Sequence, residues 1–219
     1  MTDWTGLAER EAERYRDGEA RVAESRDPDS RQRQLTRMGN AAYAAGLAAC
    51  AAGDASSGRV WLGRAAERYR ESWQDAPPGS WGRPIGAINA RILGADALGA
   101  ERDSEWALAE GAAHADSPIG RYAAVLALLV LRRDDEARVV ADGLRTAEGF
   151  PHDVGDALAT IAAGDRVGYA EAIESVLRSF EARDEYLEDV PIADTVMVLQ
   201  TLAAARDVAA DIASPLLPF

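Results

Sequence analysis

The chain has 219 residues, and 37 acidic side chains against 24 basic ones leave a formal net charge of −13. Every basic residue is Arg and there is no Lys. This length favours one domain over a large multi-domain assembly. A hydrophobic content of 47% excludes a disordered acidic tail, and the acidic surplus argues against naked nucleic acid and anionic membranes as partners.

A first helix is expected from a cap at Asp3 or Thr2 to about residue 25. Its apolar stripe of Leu7, Ala8, Tyr15 and Val22 is thin, which places it on the outside of the fold. Asp27-Pro28-Asp29-Ser30 breaks the chain, and Asp29 or Ser30 caps a second helix over 31–52. The small residues of its second half, 41–49, allow another helix to approach closely. Ser56 or Ser57 opens a third helix that runs to about 73. After the break at Ala76-Pro77-Pro78-Gly79, Ser80 caps a fourth over 81–98, with Ile85, Ile88, Ile92 and Ala95 on its core face. A charged turn at 100–103 leads to a fifth helix, 104–114.

Ser117-Pro118 is a start signal for the sixth helix, with Ser at the cap and Pro in the first turn. Asp134-Asp135-Glu136 opens the seventh with anions at the positive end of its dipole. Gly149-Phe150-Pro151 interrupts the chain again. Two further helices, 154–163 and 169–183, precede an acidic connector that ends at Pro191. A tenth helix over 192–206 and an apolar tail, 214–219, expected to pack on the last helices, complete the chain.

β-branched residues never alternate with polar ones over a strand length, so the expected fold is all-α with about ten helices. The longest apolar run, Tyr122 to Leu131, is about half of the roughly 18 residues that span a bilayer. Met1-Thr2-Asp3-Trp4 leads into charged residues and not an apolar segment, so a cytoplasmic location is expected. The expected organisation is one all-helical domain: an outer helix (1–26), paired helices (31–183), then connector, capping helix and tail (184–219).

The pairs share their turns. Ala52-Gly53-Asp54 and Ala163-Gly164-Asp165 are identical triplets, and Gly99-Ala100-Glu101 and Arg133-Asp134-Asp135 take the same place in the middle pairs. With Gly46, Gly53 and Ala65 in the first pair, Gly94, Ala113 and Pro118 in the second, Ala137 in the third, and Gly164 and Ala172 in the fourth, residues 40–183 resemble tetratricopeptide-type repeats. The resemblance implies antiparallel hairpins stacked as a short α-solenoid, with a groove lined by the first helix of each pair. Asn89, Asp96, Arg121 and Tyr122 are then the groove candidates. The C-terminal stretch, from Val190-Pro191-Ile192 through Leu202-Ala203 to Ser214-Pro215-Leu216-Leu217-Pro218, resembles the ends of some all-helical bacterial immunity proteins, which neutralise toxins by binding.

Chemistry is sparse. Without Lys there is no phosphate loop, Schiff base or Ser-Lys pair. The single Cys, Cys50, excludes an intramolecular disulfide. His114 with Asp116 and His152 with Asp153 are the weak candidates for a metal site, against helix-end roles for the same residues. Ser80-Trp81-Gly82-Arg83-Pro84 sets an aromatic and an Arg at a helix start, where Trp81 and Arg83 suit an anionic group. Phe180 to Pro191 mixes aromatics with acids and offers Glu185 and Glu188 as a partner-binding edge. The expectation is a non-enzymatic scaffold, without cofactor, for a protein or peptide partner. A small-molecule- or metal-using helical enzyme, a toxin-neutralising protein and a homodimer are the alternatives. Arg in place of Lys, with an acidic surplus, also resembles proteins of salt-loving organisms, whose carboxylate-covered surface stays soluble in concentrated salt.

Overall fold

The structure, a computed structural model, describes residues 2–218; Met1 and Phe219, in the predicted termini, lie outside them. Among the described residues there are ten α-helices and no strand. The helices are α1 (Trp4–Glu24), α2 (Pro28–Ala51), α3 (Ala55–Trp73), α4 (Gly82–Leu93) and α5 (Ala97–Ala109), followed by α6 (Pro118–Val130), α7 (Asp134–Leu144), α8 (His152–Ala163), α9 (Arg166–Glu181) and α10 (Asp194–Ala204). None is long and apolar enough to cross a membrane. The chain divides into two compact units. One holds the chain up to Ala97 and takes in Glu185–Ile192; the other holds Leu98–Asp184 and Ala193–Leu217.

The helix starts follow capping chemistry. Asp3 and Ser117 accept the N–H groups of Gly6 (2.9 Å) and Gly120 (3.3 Å), as the sequence predicts. Elsewhere the true cap precedes the expected one. Asp27, not Asp29 or Ser30, caps α2 through the Ser30 N–H at 2.7 Å, with Pro28 in the first turn. That N–H holds the Asp27 carboxyl below its ordinary range. Asp54 and Asp165 cap α3 and α9 through Ser57 and Gly168, each at 3.0 Å. Ser80 does not cap α4: its hydroxyl donates to the Pro77 carbonyl at 2.6 Å, and Trp81 stands at the cap without a side-chain bond.

One device ends five helices. At Gly53, Ala95, Arg132, Gly164 and Asp207 the backbone is left-handed. In the first case the Gly53 N–H donates to the Cys50 carbonyl and the Asp54 N–H to Ala49, both at 2.9 Å; the same pair of bonds recurs at the other four sites. At Gly53-Asp54 and Gly164-Asp165 the residue that closes this turn also caps the next helix. The second turn is therefore Gly94-Ala95-Asp96 and not Gly99-Ala100-Glu101, which lies inside α5; the third sits two residues earlier than expected, at Leu131-Arg132-Arg133. A left-handed residue with a Cβ costs about 1 kcal/mol that glycine avoids. Ala95→Gly is expected to stabilise the protein by roughly 0.5–1 kcal/mol, measured as a shift of the urea midpoint at constant slope.

In the first unit α1 packs on α2, α2 on α3 and α3 on α4. The small face of α2 brings α3 close, as expected. Tyr69 of α3 lies between Gly39 of α2 and Gly86 of α4, where an added Cβ would stand 2.8 and 2.7 Å from its ring carbons. Its hydroxyl donates to Asn40 at 2.9 Å. The helix α1 corrects the amphipathic reading. Its buried face is Glu11, Ala12, Tyr15 and Gly18. Glu11 is 0% exposed and is held by Arg10 (2.8 Å) and Arg14 (2.7 Å). Arg14 also pairs with Glu188, and Arg10 donates to the Glu188 carbonyl at 2.8 Å, which fastens the 185–192 segment to α1.

In the second unit α6, α7, α8 and α9 pack in chain order, and α10 rests on α8 and α9. The nearly uniform apolar face of α6, from Tyr122 to Leu129, is buried. The tail packs as expected: the Ala193 N–H donates to the Leu216 carbonyl at 2.9 Å and Ser214 to Glu181 at 2.8 Å.

Candidate functional site: an aromatic cleft in the second unit

The second unit carries an open cleft of about 410 Å³. Four segments build it. The start of α6 supplies Pro118, Ile119 and Tyr122, because the Ser117 cap and Pro118 set the direction of that first turn. The turn before α8 supplies Glu148, Phe150 and Pro151, with Gly149 left-handed (φ 75°) to admit the bend. The end of α9 supplies Phe180 and Arg183, and the start of α10 supplies Asp194 and Thr195.

The floor is aromatic. Tyr122 and Phe150 are both buried, with ring centroids 5.5 Å apart and planes tilted by 53°. Phe180 forms a wall, and the Arg183 guanidinium carbon sits over its ring, 3.7 Å from the centroid. Ile119 is 43% exposed at the rim. The remaining polar groups are few: Glu148 on an exposed turn, Asp194 accepting the Thr195 N–H at 2.7 Å, and Arg183. An apolar concavity of this volume with a few polar groups at its edge has the form of a ligand site. It suits a bulky apolar group, and at its edge the Thr195 hydroxyl donates to Asp194 at 3.4 Å.

Of the residues proposed from sequence, Tyr122 lies in this cleft. Its neighbour Arg121 is half-buried, with its Nε unpaired. The others belong to the first unit. Trp81 is a packing residue, buried and 5.3 Å from Trp73 between ring centroids. Arg83 donates to Gln32, its Nε is buried without a partner, and loss of solvation pulls its guanidinium below its ordinary value. Asn89 is buried with an unpaired Oδ1, and Asp96 accepts from Arg91 at 3.0 Å. Glu185 is exposed, whereas Glu188 is committed to Arg14.

The metal candidates are not brought together. The His152 Nδ1 lies 2.7 Å from the Arg145 carbonyl, and Asp153 accepts the Val154 N–H at 2.9 Å. His114 closes a short 3-10 turn, and Asp116 is exposed. Among the described residues no group of three or more His, Cys, Asp or Glu side chains is placed to hold one ion.

Sequence reasoning passed over Ile119, Phe150 and Arg183. Phe150 is visible in the sequence only as part of a chain break, and Phe180 only as one aromatic of the 180–191 stretch; the fold buries both. Nothing in their spacing joins residues 118, 150, 183 and 194.

The first unit has a second cleft, of about 420 Å³, between Tyr15 and Trp61. It is more polar, and its side chains lean on one another. Arg64 lies 4.4 Å above the Trp61 ring, and Arg68 donates to the Tyr15 hydroxyl at 2.9 Å and to Glu71 at 2.5 Å. Compared with known protein families, curated proteins and solved structures, the chain matches none.

Proposed function

We propose that the chain is a non-enzymatic scaffold, a short tetratricopeptide-like α-solenoid, that binds a protein or peptide partner through the aromatic cleft of its second unit. The observation that carries this reading is the cleft itself: an open apolar floor of Tyr122 and Phe150, walled by Phe180, with polar groups confined to its edge. Such a surface gains most from a large buried side chain, the kind of anchor that dominates binding between proteins. The repeated left-handed turn and the packing of consecutive helices from α1 to α4 and from α6 to α9 support the solenoid arrangement. Fold carries no function by itself, so the reading stands on the cleft.

Ile119→Asp tests it. The side chain is 43% exposed in the first turn of α6, where the helix dipole favours an acid, so the fold is retained, while a carboxylate at the rim opposes an apolar anchor. A partner retained from cell extract by the immobilised wild-type protein is expected to bind the variant about 10- to 100-fold more weakly. Equal retention of the same proteins by both would remove the cleft from the function.

A further inference from the structure

We infer that the group received in this cleft is the C-terminal residue of the partner: an aromatic or large aliphatic side chain whose own carboxylate pairs with Arg183. The inference rests on the reading of the cleft as the partner site and adds the identity of the anchor. In the same unit Arg133, Arg145 and Arg206 are paired with Glu136, Asp156 and Asp134. Arg183 has no carboxylate partner among the described residues. Its guanidinium carbon sits over the Phe180 ring and the residue is exposed, so its N–H groups are open to a ligand. Those groups meet a carboxylate in a fork geometry.

The apolar wall and the cation are adjacent, because the guanidinium that would take the anion lies on the very ring that would take the anchor. The anchor and the anion must therefore be equally close in the ligand. A terminal residue carries both, and it orders one residue where two neighbouring side chains would have to be ordered. The two acids of the cleft do not oppose this placement equally. Asp194 is engaged by the Thr195 N–H in the first turn of α10, where the helix dipole offsets its charge. Glu148 stands on an exposed turn, where solvent screens it.

The experiment uses the full chain and three uncharged-backbone probes, followed by calorimetry. The first is the peptide Gly-Ser-Gly-Ser-Gly-Phe with a free carboxylate, the second is its C-terminal amide, and the third is Gly-Ser-Phe-Asp-Gly-Ser as the amide. The free carboxylate is expected to bind about tenfold more tightly than its amide. Arg183→Gln should bring that ratio close to one, and Arg183→Lys should restore part of it. Ile119→Asp should weaken both. Equal binding of acid and amide, a ratio that survives Arg183→Gln, or equally tight binding of the internal Phe-Asp peptide would each overturn the assignment. Binding of none of the three also overturns it, and the extract experiment then decides separately whether the cleft binds a partner at all.

Discussion

Gly46→Ala is expected to destabilise the first unit by about 1–2 kcal/mol, although the same change in an open helix stabilises it. The backbones of α2 and α3 touch here. A Cβ at Gly46 would stand 2.7 Å from Leu62 Cγ, 3.0 Å from the Leu62 backbone nitrogen and 3.1 Å from the Gly58 carbonyl oxygen. Leu62 is fully buried, so its side chain has nowhere to go, and the two backbone atoms cannot yield unless the helices separate. Overpacking costs about 1–3 kcal/mol, which outweighs a propensity gain of about 1 kcal/mol. Gly63→Ala in α3 is the matched control. Its Cβ would meet only an Arg91 guanidinium nitrogen at 3.8 Å, so the propensity term stands alone and stability rises by roughly 0.5–1 kcal/mol. Thermal melts of the two variants should therefore move in opposite directions. Shifts of the same sign would refute close backbone contact as the basis of the α2–α3 packing.

Arg206→Met is expected to cost about 3 kcal/mol, the largest effect of any single truncation proposed for the second unit. The Arg206 side chain is 5% exposed. It donates to the Leu129 carbonyl at 2.7 Å, to the Leu202 carbonyl at 2.9 Å, and through Nε to Asp134 at 3.1 Å. One guanidinium thus ties the end of α6, the first turn of α7 and the last turn of α10. Met keeps the length of the stem and removes every donor. Asp134 is about one-third exposed, so it regains some hydration and the loss stays below that of a fully buried pair. Chemical unfolding of Arg206→Met, Asp134→Asn and the double variant should give a coupling of about 1 kcal/mol between the two sites. A loss below about 1 kcal/mol for Arg206→Met would mean that the tie is solvated and contributes little.

The all-helical class, the number of about ten helices and two of the caps are determined by the sequence alone. These are local properties: an N-cap needs only a side-chain oxygen within three residues of the N–H it accepts. Ser117-Pro118 and Asp3 satisfy this with their immediate neighbours. The turn at Gly53-Asp54 is equally legible, because glycine is the residue that enters the left-handed region without strain. Ala95 and Arg132 take that same conformation with no such signal, since what holds them there is the pair of backbone bonds closing each turn. The expected turn consequently fell on the charged run at 100–103, where an Ala-rich helix in fact continues.

Only the tertiary structure decided where charge lies inside and where binding residues meet. Glu11 belongs to the polar side of α1 by pattern, yet it is buried because Arg10 and Arg14 neutralise it beneath the 185–192 segment. The cleft gathers side chains from residues 118 to 195, from four segments each of which reads locally as a helix end or a break. Helix ends are marked in sequence by their caps, but the space between four of them depends on how long each helix runs and what it packs against. That sum of many small contacts leaves no spacing in the chain to be read.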